Sequence, residues 1–217
     1  VLDVSDSMMA EDVKPNRLEQ LKSEMSKLID LMPGNKVGIV AFAGSAALLS
    51  PLTSDPNALK MYLDSLSTTS VRSQGTNFQR ALKEAEDALD QGGVTTDDTI
   101  KVTRVILLAS DGEDQEPGAV EPAKNLAKKG IRIVSLAYGT EKGAPIPERD
   151  GMGFLRGYKK DRSNQTVLTT VHGDALRELA QVGQGSFYFA VFGGNHLKKI
   201  VDDVNKLQKA QFESEFA

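Results

Sequence analysis

Along most of its length this chain alternates short apolar runs with segments whose apolar residues recur at helical spacing. Few architectures accept that alternation. Lys36–Phe42, Val102–Leu108, Ile131–Tyr138 and Ser186–Phe192 are mostly apolar and bounded by turn residues, so they read as buried strands. Leu18, Leu21, Met25, Leu28 and Met32 mark one face of a helix that opens on Asn16-Arg17-Leu18-Glu19, a cap with a reciprocal Glu, and ends at Pro33-Gly34. Asp55-Pro56 caps a second helix carrying Leu59, Tyr62, Leu63 and Leu66. Phe78, Leu82, Ala85 and Leu89 define a third, and further helices follow at Pro117–Lys129, Asp174–Val182 and Asn195 to about Gln211. The expected fold is therefore α/β: a doubly wound, mostly parallel sheet flanked by helices, Rossmann-like. Ala46–Leu49, turning back across Gly44-Ser45, would supply one antiparallel edge strand. We expect a single domain over residues 1–217 with a surface insertion at about 139–166, rich in Gly, Pro and charge and turning near Arg162-Ser163-Asn164.

Several functional classes are disfavoured at once. The formal charge of −4 and pI of about 5.3 argue against nucleic acid, whose phosphates call for a basic face. With no cysteine there is no thiolate chemistry, disulfide or Cys-type zinc site. No apolar run reaches the roughly 20 residues of a membrane span. The pattern opens at Val1 without a Met, with Val1 and Leu2 alone ahead of the first polar loop, so the chain reads as a piece cut close to a preceding membrane helix.

In sheets of this kind ligands bind beyond the carboxyl ends of the strands. Asp3, Ser5 and Ser7 follow the first strand, Thr76 lies in a loop entering a helix, and Asp111 follows the Val102–Leu108 strand. Taken singly these are turn or cap residues; their conjunction at strand ends points to a site. Carboxylates and hydroxyls are hard oxygen donors suited to Mg²⁺ or Mn²⁺. Ser5, Ser7 and Thr76 would ligate directly, while Asp3 and Asp111 hold coordinated waters and balance charge. Neutral ligands leave such an ion electrophilic, open to a carboxylate from another molecule.

Asp3-x-Ser5-x-Ser7, Thr76 and Asp111 in Ser-Asp-Gly resemble the metal-ion-dependent adhesion site of von Willebrand factor A domains. Ala10-Glu11-Asp12-Val13, Pro15-Asn16-Arg17-Leu18-Glu19, Ala41-Phe42-Ala43-Gly44, Ser110-Asp111-Gly112-Glu113-Asp114 and Gly139-Thr140-x-x-Gly143-Ala144-Pro145-Ile146-Pro147 narrow the resemblance to bacterial aerotolerance (Bat-type) membrane proteins. The resemblance implies a non-enzymatic protein-binding module anchored in the inner membrane, on the periplasmic side, working with other Bat proteins and a MoxR-type ATPase system. Membrane contact would come through segments absent from this chain. One departure is Asp6, where the wider superfamily has Gly; it adds charge beside the ion.

Two alternatives stand beside that reading. A Mg²⁺-dependent phosphohydrolase of haloacid dehalogenase type needs a second Asp two residues after the first, where this chain has Ser5. A structural envelope domain with a vestigial site is the other. Glu11, Asp12, Glu113, Asp114 and Glu116 read as solvated loops, and His172 and His196 as surface or cap residues. Lys198, Lys199, Lys206 and Lys209 read as the solvent face of the last helix, Phe187–Phe189 as strand packing, and Met8 and Met9 as packing residues. Lys142, Arg149, Arg156, Lys159, Lys160 and Arg162 make the insertion locally basic, a candidate partner contact.

Overall fold

A computed structural model of the chain describes residues 1–92, 102–113, 118–190 and 193–213, with side chains described up to residue 207. Asp114, Glu116 and Lys209 of the expectations above fall outside those limits, as does the start of the helix expected from Pro117.

Ten strands and six α-helices are present among the described residues. β1 is Leu2–Asp3, followed by a 3-10 turn at Asp6–Met9 and helix α1, Arg17–Leu31. Strands β2 (Val37–Phe42) and β3 (Ala46–Thr53) form a hairpin, then come α2 (Pro56–Ser65) and α3 (Phe78–Gly92). After β4 (Arg104–Ser110), α4 (Val120–Lys128) and β5 (Ile131–Ala137), the insertion carries β6 (Ala144–Pro145), β7 (Pro147–Arg149), β8 (Leu155–Tyr158) and β9 (Leu168–Thr169). Helix α5 (Gly173–Val182), β10 (Phe187–Phe189) and α6 (Asn195–Glu213) complete the order.

The main sheet has six strands in the order β10-β5-β4-β1-β2-β3, parallel except for the β2–β3 pair. The expected doubly wound, mostly parallel α/β fold with one antiparallel edge is therefore present. Period-two alternation decides which face each residue serves. On β4, Val105, Leu107 and Ala109 join the cluster built on Leu18, Leu21, Met25 and Leu28 of α1, Leu59 and Leu63 of α2, and Ile200 of α6. Ile106 and Leu108 point the other way, to Phe78 and Leu82 of α3, Ala123 and Leu126 of α4, and Leu176 and Leu179 of α5. Three helices thus cover each face.

Local chemistry explains most boundaries. Asn16 accepts a hydrogen bond from the Glu19 amide, and Asp55 from the Asn57 and Ala58 amides with Pro56 next. The Glu19 carboxylate pairs with Lys22 at 3.1 Å, taking the place of the reciprocal half of the expected capping box. β3 runs four residues past Leu49 because an outer strand tolerates Pro51, which lacks the donor an inner strand needs. β4 extends through Ser110, which pairs with Ala137, so the turn begins at Asp111 and not at Ala109.

The insertion is two small antiparallel ribbons, β6–β9 and β7–β8, with a further bridge between Lys160 and Thr166 around the expected Arg162–Asn164 turn.

Candidate metal centre

Sheet register brings the predicted residues to one end. Leu2 pairs with Ala109 and with Ala41, and Asp3 pairs with Phe42, so the residues after β1, β2 and β4 share one end of the sheet. Asp3 and Asp111 are fully buried, Ser5 and Ser7 are 4% and 6% exposed, and Thr76 is 2% exposed.

Asp3 Oδ1 accepts the Ser5 amide at 2.8 Å, and Oδ2 accepts the Ser110 hydroxyl at 2.5 Å. The Ser5 and Ser7 hydroxyl oxygens lie 3.0 Å apart. Adjacent ligands on an octahedron with Mg²⁺–oxygen distances of 2.0–2.1 Å are separated by about 3.0 Å, so that spacing suits a small hard cation. Ser7 hydrogen-bonds Asp111, whose carboxylate also takes the Glu113 amide at 3.2 Å.

Thr76 arrives by backbone placement. Gly44 donates to the Ser73 carbonyl at 3.0 Å, and Asn77 donates to the Ala43 carbonyl at 3.0 Å, fastening the Thr76 loop to the end of β2. That approach requires glycine, since a Cβ on Gly44 would lie 2.2 Å from the Gln74 carbonyl oxygen. Gly44→Ala should therefore displace the Thr76 loop and lower stability by about 1–3 kcal/mol. Thermal melts of the two forms, with Mg²⁺ titration of each, check this; an unchanged melt and an unchanged affinity would refute the constraint. Gly112 is held likewise, at φ +85° with its back against the His172 carbonyl.

The electrostatics favour a cation. Burial, and then the charge of Asp111, push the Asp3 carboxyl up to about 7 against hydrogen bonds from Ser110 and Ser5 that lower it. Asp3 has no basic partner among the described residues. Burial likewise raises Asp111, opposed by the Ser7 hydrogen bond and the Arg17 charge. Two buried carboxylates, one without a counter-charge, beside three buried hydroxyls fit a hard divalent ion. Among the described residues no group of three or more His, Cys, Asp and Glu is placed to hold a metal, so the hydroxyls are essential to this donor set.

Several residues depart from expectation. Asp12 is not a solvated loop residue: its side chain is 2% exposed and pairs with Arg17 at 2.8 Å. Arg17 itself, which the sequence marks as no more than an early helical residue, is wholly buried. It donates to Asp111 Oδ2 at 2.9 Å, to Asp12 through Nε and Nη2, and to Thr169 Oγ1 and O. Glu113 is half-buried and accepts from Thr169 Oγ1 at 2.7 Å. The added charge of Asp6 is matched by Lys159 of the insertion, 2.6 Å away. Its backbone needs no glycine, being outside the positive-φ set. His172 is exposed, as expected, but His196 is buried, with Nε2 2.8 Å from Glu24 Oε2. The expected packing role of Met8 is met in full, and Lys198 and Lys199 face solvent.

Comparison with known proteins identifies the family of the fold. Residues 1–113 match the von Willebrand factor type A domain family. The crystal structure of the conserved hypothetical protein BatB from Bacteroides thetaiotaomicron is 36% identical and superposes with a TM-score of 0.86, covering 96% of each chain. That of an aerotolerance-related membrane protein from Bacteroides fragilis is 35% identical with a TM-score of 0.85, covering 94% of this chain and 96% of that one. A UPF0353 protein of Nocardia farcinica is 33% identical over 202 residues, 88% of this chain and 56% of that protein. The chain thus spans little more than half the length of the curated relatives it matches. Among the described residues no helix is long and apolar enough to cross a membrane. The family match through Asp111, the strand order and the two Bacteroides structures establish that the chain belongs to the von Willebrand factor type A domain family, with close resemblance to the Bat aerotolerance-related proteins.

Proposed function

We propose that the chain is a single non-enzymatic protein-binding module whose Asp3, Ser5, Ser7, Thr76 and Asp111 hold Mg²⁺ or Mn²⁺. When bound, the ion supplies an electrophilic position for a carboxylate from a protein partner. Asp3 fixes the turn that carries Ser5, Ser7 answers both Ser5 and Asp111, and Arg17 orients Asp111 from behind. The observation that carries the reading is the placement of Asp3, Ser5, Ser7, Thr76 and Asp111, all buried, beyond the carboxyl ends of β1, β2 and β4.

Hydrolase chemistry has weaker support. Asp3 has both carboxylate oxygens engaged by Ser5 and Ser110, and Ser5 stands where a haloacid dehalogenase-type enzyme needs its second Asp. Likeness to membrane-associated Bat proteins supports a periplasmic setting in a bacterial envelope complex linked to other Bat proteins, a MoxR-type ATPase and stress tolerance, with anchoring by segments outside this chain.

Calorimetric titration of the chelator-stripped chain with Mg²⁺ and Mn²⁺ tests the site. The expected result is saturable binding that weakens at least tenfold, about 1.4 kcal/mol, in Ser5→Ala with the fold intact. Equal affinity in both forms would place the ion elsewhere.

A further inference from the structure

Nine large hydrophobic side chains are exposed among the described residues, and five belong to the segment between β5 and α5. Met152 is 83% exposed, Phe154 63%, Leu155 47%, Tyr158 42% and Leu168 61%. On the β7–β8 ribbon Pro147 pairs with Tyr158 and Arg149 with Leu155, with a register shift between Glu148 and Arg149. Exposure alone is what a ribbon too small for its own core would show. Three further observations set this one apart.

First, the tip is shaped. Asp150 Oδ1 accepts the amides of Met152 and Phe154, each at 3.0 Å, and Arg156 Nε donates to Asp150 Oδ2 at 2.8 Å. Met152 and Phe154 are therefore held outward on an ordered turn, which lowers the entropy lost on docking. Second, the lobe is fastened to the loop of the candidate metal centre. Lys159 pairs with Asp6, Arg149 with Glu11 at 2.6 Å, and the Thr140 amide with Asp12 at 2.8 Å. Arg149, one residue before the tip turn, pairs with Glu11, four residues beyond Ser7, so the ribbon that carries the apolar residues is tied to the loop following the site. Third, residues 139–169 carry six basic and four acidic side chains in a chain whose net charge is −4. Lys160 and Arg162 are exposed with no ion pair among the described residues.

We infer that this lobe is the second half of the partner-binding surface, and that its occupant is an acidic protein segment with apolar side chains flanking the carboxylate. The inference rests on the carboxylate-binding function proposed above. A single carboxylate on a cation carries little sequence information, whereas an exposed aromatic and a methionine on a lobe tied to the site loop supply the anchoring contacts that select a partner. An anionic membrane is the competing occupant. It fits less well: Arg149, Arg156 and Lys159 are already paired with Glu11, Asp150 and Asp6. That leaves Lys142, Lys160 and Arg162, short of the clusters of about 4–8 basic residues that anionic leaflets recruit.

The test begins with phage-displayed random 12-residue peptides selected on the chain in Mg²⁺. Enriched peptides are then measured by fluorescence anisotropy against the wild type, Met152→Ser/Phe154→Ser and Ser5→Ala, with and without chelator. Vesicles of phosphatidylglycerol and phosphatidylcholine serve as a parallel probe. The expected peptides pair Asp or Glu with apolar neighbours. They should lose at least tenfold affinity in the double variant, whose Mg²⁺ affinity and melting stay those of the wild type. Peptides abolished by chelator and by Ser5→Ala yet unaffected by the double variant would leave the carboxylate site standing and overturn the lobe. Peptides lost in the double variant but indifferent to chelator would overturn the cation-dependent reading of both. Failure to enrich any peptide overturns the inference, and vesicle binding that needs Met152 and Phe154 would assign the lobe to a membrane.

Discussion

Arg17→Met is expected to destabilise the chain by about 3–5 kcal/mol, because it leaves two buried carboxylates without their shared cation. Arg17 and Asp111 have wholly buried side chains and Asp12 is 2% exposed, so water cannot take over the lost contacts. Burial would raise the Asp12 carboxyl, but hydrogen bonds and charge from Arg17, with Thr140, outweigh it and hold it below its ordinary value. In a chain of this size 1 kcal/mol moves the melting temperature by about 2–4 °C, so the variant should melt roughly 6–20 °C lower. Circular-dichroism melts at neutral pH measure it. Adding Asp12→Asn should recover part of the loss, since one stranded charge disappears. A single variant melting within about 2 °C of the wild type would show that the guanidinium is not what neutralises this pocket.

Glu24→Ala should cost about 2–5 kcal/mol by stripping two buried groups of their acceptor. Tyr138 OH donates to Glu24 Oε2 at 2.7 Å, and His196 Nε2 lies 2.8 Å from the same oxygen, joining the residue after β5 to α1 and α6. Burial works to raise the Glu24 carboxyl, but hydrogen bonds from His196, Tyr138 and Gln20 outweigh it and hold it below 4.5. The sign for acid stability follows. A carboxyl depressed on folding contributes stability above its unfolded value of 4.5, and that contribution is lost as pH falls through the lower folded value. The wild type should thus weaken below about pH 4.5, and Glu24→Gln should weaken less steeply there. Denaturant midpoints between neutral pH and pH 3 decide it; parallel curves would assign acid lability to other carboxylates.

The difference between what was and was not legible in the sequence follows the range of the interactions. Apolar runs, helical spacing and turn residues located the six α-helices and the long strands among the described residues, and the Asn16 and Asp55 caps fixed two helix starts, because these are local devices. The placement of the five candidate site residues was readable for a related reason: each follows a strand or precedes a helix, and the fold class puts those points at the carboxyl end of the parallel strands. Arg17, Asp12 and His196 were not readable. Their burial depends on distant partners: Arg17 meets Asp111 across 94 residues, His196 meets Glu24 across 172, and Asp12, five residues from Arg17, also takes the Thr140 amide across 128. A histidine one residue into an amphipathic helix carries no local mark of burial. An Arg at the first helical position looks solvated until a carboxylate closes over it. Strand limits missed by two to four residues, as at β3 and β4, because ladder pairing and edge position set them.

The place of β1 between β2 and β4 has a kinetic consequence. Asp3 is fixed on one side by pairing with Phe42 but reaches Ser110 across 107 residues. At a ribosomal pace of roughly 5–20 residues per second, roughly 5–20 s separate the emergence of those two side chains. Contacts so distant along the chain also slow the search for the native arrangement. The end of the sheet that carries the candidate metal centre is thus completed only after the α1, β2–β3, α2 and α3 segments have had time to form. A nascent chain stalled short of Ser110 would expose Asp3 and Ser5 without their cage.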